Sequence, residues 1–234
     1  MKRLVESGPM DLTLAVATLL SMAAALFAAL IYAPTERVQG DVQRIFYVHL
    51  AVAWNAYLAF FLVFVASIVY LWKRDLWWDA LARSSAEIGL LFTTLVLIVG
   101  SLWARPMWGV WWSWDARLTT TLLLWFIYVG YLMVRSSASD EARGARFAAV
   151  LGIIGFIDIP IIHQSVVWWR SLHPESVVTA SGGPAMPQSM LVALLINLLA
   201  FTILYIYLLR LRLQAEALRR QVRGLRQRLF EGAA

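Results

Sequence analysis

The sequence predicts an all-α protein: a polytopic membrane bundle of six transmembrane helices with both termini cytoplasmic, followed by a C-terminal cytoplasmic amphipathic helix. Three observations predict it. Of 234 residues, 61% are hydrophobic and only 15% charged, whereas soluble domains run to about half and about a quarter. Six apolar runs each come close to the ~20 residues that cross a bilayer as helix. Lys and Arg divide unequally between alternate loops, as the positive-inside rule requires of a spanning protein.

The spans fall, in order, at Leu12–Tyr32, Leu50–Trp72, Ser85–Trp103, Leu118–Val134, Phe147–Val167 and Met190–Leu209. Helix is the form expected for each, because a backbone polar group in hydrocarbon must be satisfied within its own segment. The first run follows Met1-Lys2-Arg3 and lacks a small-x-small cleavage site, so it reads as a retained span. Of the 20 Lys and Arg residues, only Arg37, Arg44, Arg105, Arg117 and Arg170 fall on the side opposite the N-terminus. The N-terminal side is therefore expected to be cytoplasmic. Residues 1–210 form the membrane domain, with an outer loop over 104–117. Residues 211–234 form a basic tail, in which Leu211, Leu218, Val222, Leu225 and Leu229 make a narrow helical seam. That tail either lies on anionic membrane lipid or docks a cytoplasmic partner. The net charge of +6 is explained by this topology and does not indicate a nucleic-acid partner.

The segment most unlike a membrane span is Trp108-Gly109-Val110-Trp111-Trp112-Ser113-Trp114-Asp115-Ala116-Arg117. Four indoles fall within seven residues, and a carboxylate and a guanidinium close the run. On the predicted topology it is an aromatic platform at the outer membrane surface. All three histidines lie on the same outer half. His49 is at the mouth of span two, His173 is in the last outer loop, and His163 lies about a turn inside span five. Two imidazoles make a poor zinc site, because zinc takes three or four protein ligands. They suffice for haem, whose porphyrin supplies four donors of its own. A flat apolar ring packs on indole faces, and its propionates take guanidinium partners. Arg44, Arg105, Arg117 and Arg170 are the outer candidates. The absence of cysteine excludes disulfides, thiolate ligands and covalent haem attachment. The alternative reading is an ordinary interfacial aromatic belt with unrelated histidines.

The stretch Trp108-Gly109-x-Trp111-x-x-Trp114-Asp115-x-Arg117-Leu118-Thr119 resembles the tryptophan-rich WWD signature of haem-handling proteins in cytochrome c biogenesis. Arg44-Ile45-x-Tyr47-x-His49 and Pro160-Ile161-Ile162-His163-x-Ser165-Val166-x-Trp168-Trp169-x-x-Leu172-His173 narrow the likeness to the CcmC family of the System I pathway. It covers nearly the whole chain. It implies that His49 and His173 are axial ligands of non-covalent, transiently held haem b. It implies that Trp108, Trp111, Trp112, Trp114 and Trp168 form the presenting surface. Arg117 and Arg44 become propionate partners, and Asp115 a residue that orients Arg117 or a partner. It implies no enzymatic step, delivery to a periplasmic-facing haem chaperone, and work beside ABC transporter subunits and a small single-span membrane subunit in the bacterial inner membrane. Where the family commonly has glutamine after the second histidine, Pro174 follows His173.

Inside the membrane, His163 and Asp158 are secondary candidates, because ionisable groups there are costly. His163 reads as buried in span five, as an alternate ligand or a hydrogen-bonding group. Asp158 reads as a proton relay or a helix-packing hydrogen bond. Asn55 and Asn197 read as interhelical hydrogen bonds. Two other functions fit a six-span haem protein: a membrane oxidoreductase subunit with permanent b-type haem, and a permease subunit of a transporter. The first wants histidine pairs within facing spans. The second needs an ATPase on another chain, because no phosphate-binding Gly-x-x-x-x-Gly-Lys-Ser/Thr motif is present.

Overall fold

A computed structural model describes residues 8–169, 171–173 and 186–231. Lys2, Arg3, Arg170 and Pro174, each named above, lie outside them. The described residues form six α-helices: α1 (Pro9–Phe27), α2 (Ile45–Lys73), α3 (Leu76–Trp108), α4 (Ala116–Ser137), α5 (Glu141–Trp168) and α6 (Gln188–Glu231). Each belongs to a segment long and apolar enough to cross a membrane. A π-helical turn, Ala28–Tyr32, prolongs α1, and a 3-10 turn, Asp41–Arg44, leads into α2.

Aspartates set three of the helix starts. One carboxylate oxygen of Asp75, Asp115 and Asp140 accepts a backbone N–H from Trp77, Leu118 and Ala142 at 2.8, 2.9 and 2.9 Å. Each supplies one of the orphan donors of a first turn.

α2 lies at the centre, against α3, α5 and α6, while α1 packs on α6 and α4 on α5 and α3. Val52, Ala56, Phe60 and Val63 of α2 meet Phe92, Leu124, Tyr128, Ile162 and Phe201 in one core. Phe60 stacks on Tyr128 with centroids 3.6 Å apart. The Ser85 hydroxyl lies 2.8 Å from the Ala59 carbonyl and 2.8 Å from the Tyr205 hydroxyl, tying α3, α2 and α6 together. Outward positions such as Leu19, Phe126, Phe147 and Leu199 are exposed, as suits a surface that meets lipid.

Four sequence expectations change. The loop expected over 104–117 is shorter, because α3 continues through Pro106 to Trp108 and α4 begins at Ala116. Gly109, at φ +77°, ends α3 in a left-handed conformation, its N–H bonded to the Arg105 carbonyl at 3.0 Å. Glycine adopts that conformation without a Cβ penalty. The basic tail is not a separate helix either. α6 runs unbroken for 44 residues, about 66 Å at 1.5 Å per residue. Its seam residues Leu218, Val222, Leu225 and Leu229 are exposed, whereas Glu216 and Ala217 are buried.

Asn197 bonds across to the Ala25 carbonyl of α1 at 3.2 Å, as expected, but the Asn55 amide reaches only the Ala51 carbonyl of its own helix. His163 is exposed on α5 rather than buried. It sits one residue beyond buried Ile162, hence rotated about 100° from the inward stripe. Its ring lies 5.3 Å from that of Tyr57.

Candidate functional site

The end of the bundle where α3 meets α4 and α5 finishes holds the indoles and both outer imidazoles. His49, expected at the mouth of span two, lies in the second turn of α2. Gly100 of α3 makes room for it: a Cβ there would meet His49 Cε1 at 3.1 Å. The imidazole packs edge-on against Trp103, with centroids 5.7 Å apart. The Trp103 indole N–H donates to Gln39 Oε1 at 3.3 Å, joining α3 to the segment before α2. Sequence reasoning passed over both residues. Their signal was Gly100-x-x-Trp103 in the last two turns of α3, a small residue followed by an indole one turn on.

His173 comes from the segment after α5. Its backbone N–H donates to the Ser171 hydroxyl at 3.1 Å. Its ring meets the Trp108 indole edge-on, with centroids 5.1 Å apart. The second carboxylate oxygen of Asp115, whose first caps α4, lies 3.8 Å from His173 Nδ1. Asp115 therefore faces the histidine. Among the described residues it forms no pair with Arg117, the partner the sequence proposed.

Arg117, half-buried in the first turn of α4, forms no ion pair among the described residues. It is an electrostatic neighbour of both His49 and His173, and the two imidazoles are electrostatic neighbours of each other. Burial and the Arg117 charge hold the His173 imidazole down to about 4, against the opposing pull of Asp115. At neutral pH it is therefore the neutral, ligand-competent form.

Half of the buried side-chain polar atoms without a hydrogen-bond partner gather at this one end: His49 Nδ1, His173 Nδ1, Asp115 Oδ2, Trp112 Nε1 and Ser113 Oγ. Buried polar groups are ordinarily paired, so such a concentration marks a place shaped for something besides this chain. Among the described residues no group of three or more His, Cys, Asp or Glu could hold a bare metal ion. The arrangement offers two imidazoles, indole edges and an uncommitted guanidinium, which suits a flat anion that brings its own equatorial donors.

The remaining candidates divide. Trp111, Trp114 and Trp168 are more than half exposed. Trp112 stands edge-on to Trp114 at 5.6 Å, and Trp168 to Trp169 at 5.8 Å. Arg44 is committed elsewhere. Its guanidinium donates to the Ala29 and Ala33 carbonyls at 2.8 and 3.2 Å and to Asp41 at 3.0 Å. It thus satisfies carbonyls that the π-helical end of α1 leaves open. Asp158 is buried on the inward face of α5, and its Oδ2 has no partner.

Six helices long and apolar enough to span a membrane, with two imidazoles set among tryptophans at one end, fit the class of haem-handling membrane proteins that the WWD stretch resembles. The comparisons name the family: residues 3–228 match the model of Heme exporter protein C, and the chain belongs to that family. It is similar to Heme exporter protein C of Bradyrhizobium diazoefficiens, 40% identical over 91% of this chain and 80% of the relative. It is similar also to the protein of that name from Haemophilus influenzae, at 37% over 91% and 86%, and from Escherichia coli, at 40% over 66% and 64%.

Proposed function

We propose that this protein binds haem at the tryptophan-lined end of its bundle and delivers it for cytochrome c maturation by handing it to a haem chaperone. The observation that carries this is the seating of His49 and His173, 124 positions apart in sequence, against two indoles at one end of α3, Trp103 at 5.7 Å and Trp108 at 5.1 Å. His49 and His173 take the iron, Trp103 and Trp108 wall the ring, and Arg117 takes a propionate. Arg44 serves the fold instead, because its donors already have acceptors. The exposed Trp111, Trp114 and Trp168 face the receiving chaperone. By the charge bias of the loops this end faces the periplasm and the basic α6 extension faces the cytoplasm. There the extension can meet the ABC transporter subunits and small single-span subunit that the resemblance implies. Beyond the exchange of imidazole ligands on the iron this role needs no bond made or broken by the chain, so it is carriage rather than catalysis.

A permanent electron-carrying haem fits less well. His163 stands exposed against Tyr57 and faces no second histidine among the described residues.

An absorption spectrum of purified protein tests the proposal. Wild type should show low-spin haem. His49→Ala and His173→Ala should each turn it high-spin or empty the site. Unchanged spectra in both would overturn the ligand assignment, and an effect confined to His163→Ala would move the site into span five.

A further inference from the structure

At the opposite end of the bundle from the tryptophans, two cavities share one residue, Arg83 of α3. The larger, about 510 Å³, is lined by Arg83, Glu216, Leu218, Arg219, Val222 and Arg223. The smaller, about 330 Å³, adds to Arg83 and Glu87 the apolar Leu90, Val129, Leu132 and Met133, with Ser136 at its edge. The first lies between α3 and the α6 extension. The second descends between α3 and α4 towards the middle of the spans. One is a basic recess, and the other an apolar groove that continues it.

The charges in this region do not cancel. Glu87 is held by two arginines, accepting from Arg212 at 2.7 Å and from Arg83 at 3.3 Å. Glu216 accepts from Arg220 at 3.3 Å and from Arg223 at 3.4 Å. Arg219, exposed on the recess, forms no ion pair among the described residues. Each carboxylate is thus shared between two guanidiniums, and the recess keeps a positive excess. A guanidinium matches the oxygens of a phosphate. Basic pockets between spans are suited to anionic head groups.

We propose that the two cavities form one site for an anionic phospholipid. Its phosphate sits among Arg83, Arg219 and Arg223, and an acyl chain runs along Leu90, Val129, Leu132 and Met133. The groove decides the ligand class. A free phosphate or an acidic peptide would answer the arginines but make no use of the apolar groove that continues the recess. Because Arg219 and Arg223 belong to the α6 extension, the lipid would also join that extension to α3 and α4.

The test counts lipids retained by the detergent-purified full chain in native mass spectrometry, with dioleoylphosphatidylglycerol against dioleoylphosphatidylcholine. The anionic lipid should be preferred. Arg83→Gln and Arg219→Gln should each lower that preference by roughly fivefold, the worth of one such charge near an anionic head group. Met133→Trp, at an exposed position that fills the groove and leaves every arginine in place, should also weaken binding. Glycerophosphoglycerol, the head group alone, should compete poorly. Equal retention of both lipids would overturn the proposal, as would an unchanged preference in the arginine variants. Full competition by the head group, with Met133→Trp binding as wild type, would make this a phosphate site and overturn the lipid reading. Helical circular dichroism and the haem spectrum, reporting from the far end, check that each variant is folded.

Discussion

Asp115 serves two partners at once. One carboxylate oxygen accepts the Leu118 N–H at 2.9 Å and starts α4; the other lies 3.8 Å from Nδ1 of His173. The residue that caps the helix thereby also sets a carboxylate beside an imidazole from a different segment. A carboxylate on the far nitrogen of a ligating histidine fixes its tautomer and raises its basicity.

Asparagine separates these two duties, because it caps a helix as well as aspartate does. Asp115→Asn should leave the helical circular dichroism unchanged yet speed haem loss to an apomyoglobin trap by about 10–100-fold, the usual cost of losing such a partner. Asp115→Ala should show the same haem loss and in addition lose roughly 1 kcal/mol of stability with the cap. If Asp115→Asn holds haem as wild type does, the carboxylate is only a cap.

The pH behaviour follows from the same contacts. Burial and Arg117 press His173 down to about 4, from the ordinary value near 6.5. In the unfolded chain the imidazole takes up its proton as pH falls through ~6.5, whereas in the folded protein it does so only near 4. Between those values the unfolded state binds more protons, so this residue makes the fold less stable as pH falls and adds no pH dependence above ~6.5. Acylation of apo-protein by diethylpyrocarbonate, which needs neutral imidazole, should give a His173 profile with its midpoint near 4. Arg117→Ala should move the midpoint up, because a repelling charge has gone. Asp115→Asn should move it down, because an attracting one has gone. Shifts of the same sign in both variants would contradict the geometry.

The six spans were legible because bilayer thickness imposes a length and hydropathy that composition shows directly. The chemistry of the site was half legible. His49, His173 and the tryptophans stood out by residue type, but their convergence is tertiary, and the resemblance supplied the pairing. The bonds of Arg44 to the end of α1 were not legible, because a π-helical turn at Ala28–Tyr32 leaves open carbonyls that carry no sequence signature. Trp108 was placed in a loop because the apolar run stops at Trp103, ahead of Arg105 and Pro106, yet the helix α3 continues through both and is capped at Gly109. The ion network around Asp79 was invisible. Its members lie up to 141 positions apart, and each looked like one more loop charge.

The reassignment of Arg44 can be checked directly. A guanidinium holding two carbonyls of the end of α1 stabilises the fold, and each charged hydrogen bond of this kind contributes about 1.5–3 kcal/mol. Arg44→Ala should lower the thermal midpoint and open the segment around residues 33–40 to protease, with haem loss only as a consequence. Arg117→Ala should do the reverse, with weaker haem retention on an intact fold. If Arg44→Ala loses haem at unchanged stability, the propionate role returns to it.

The buried pair at the other end gives the largest expected effect on stability. Arg135, near the end of α4, meets Asp79 of α3 with Nη2 to Oδ2 at 2.7 Å and Nε to Oδ1 at 3.0 Å; the side chains are 7% and 2% exposed. Arg220 of the α6 extension approaches the same carboxylate at 3.9 Å and donates to the Leu76 carbonyl at 3.3 Å. Three helices therefore meet on one charge. Removing a single member leaves the other buried with only a poorer partner, Arg135 with Glu141 at 3.3 Å or Asp79 with Arg220 at 3.9 Å. Full stranding of a buried charge costs about 3–5 kcal/mol, so the loss should approach that, whereas replacing both by apolar groups is often close to neutral. Asp79→Leu and Arg135→Met should each lower the thermal midpoint sharply, and the double variant should recover most of the loss. That recovery depends on Arg220, which in the double variant still faces Glu141 at 3.6 Å and Glu216 at 3.3 Å and so is not itself stranded. A double variant as unstable as the sum of the single ones would show that Arg220 relies on Asp79, and that the α6 extension is held by the carboxylate rather than by its own apolar contacts with α3.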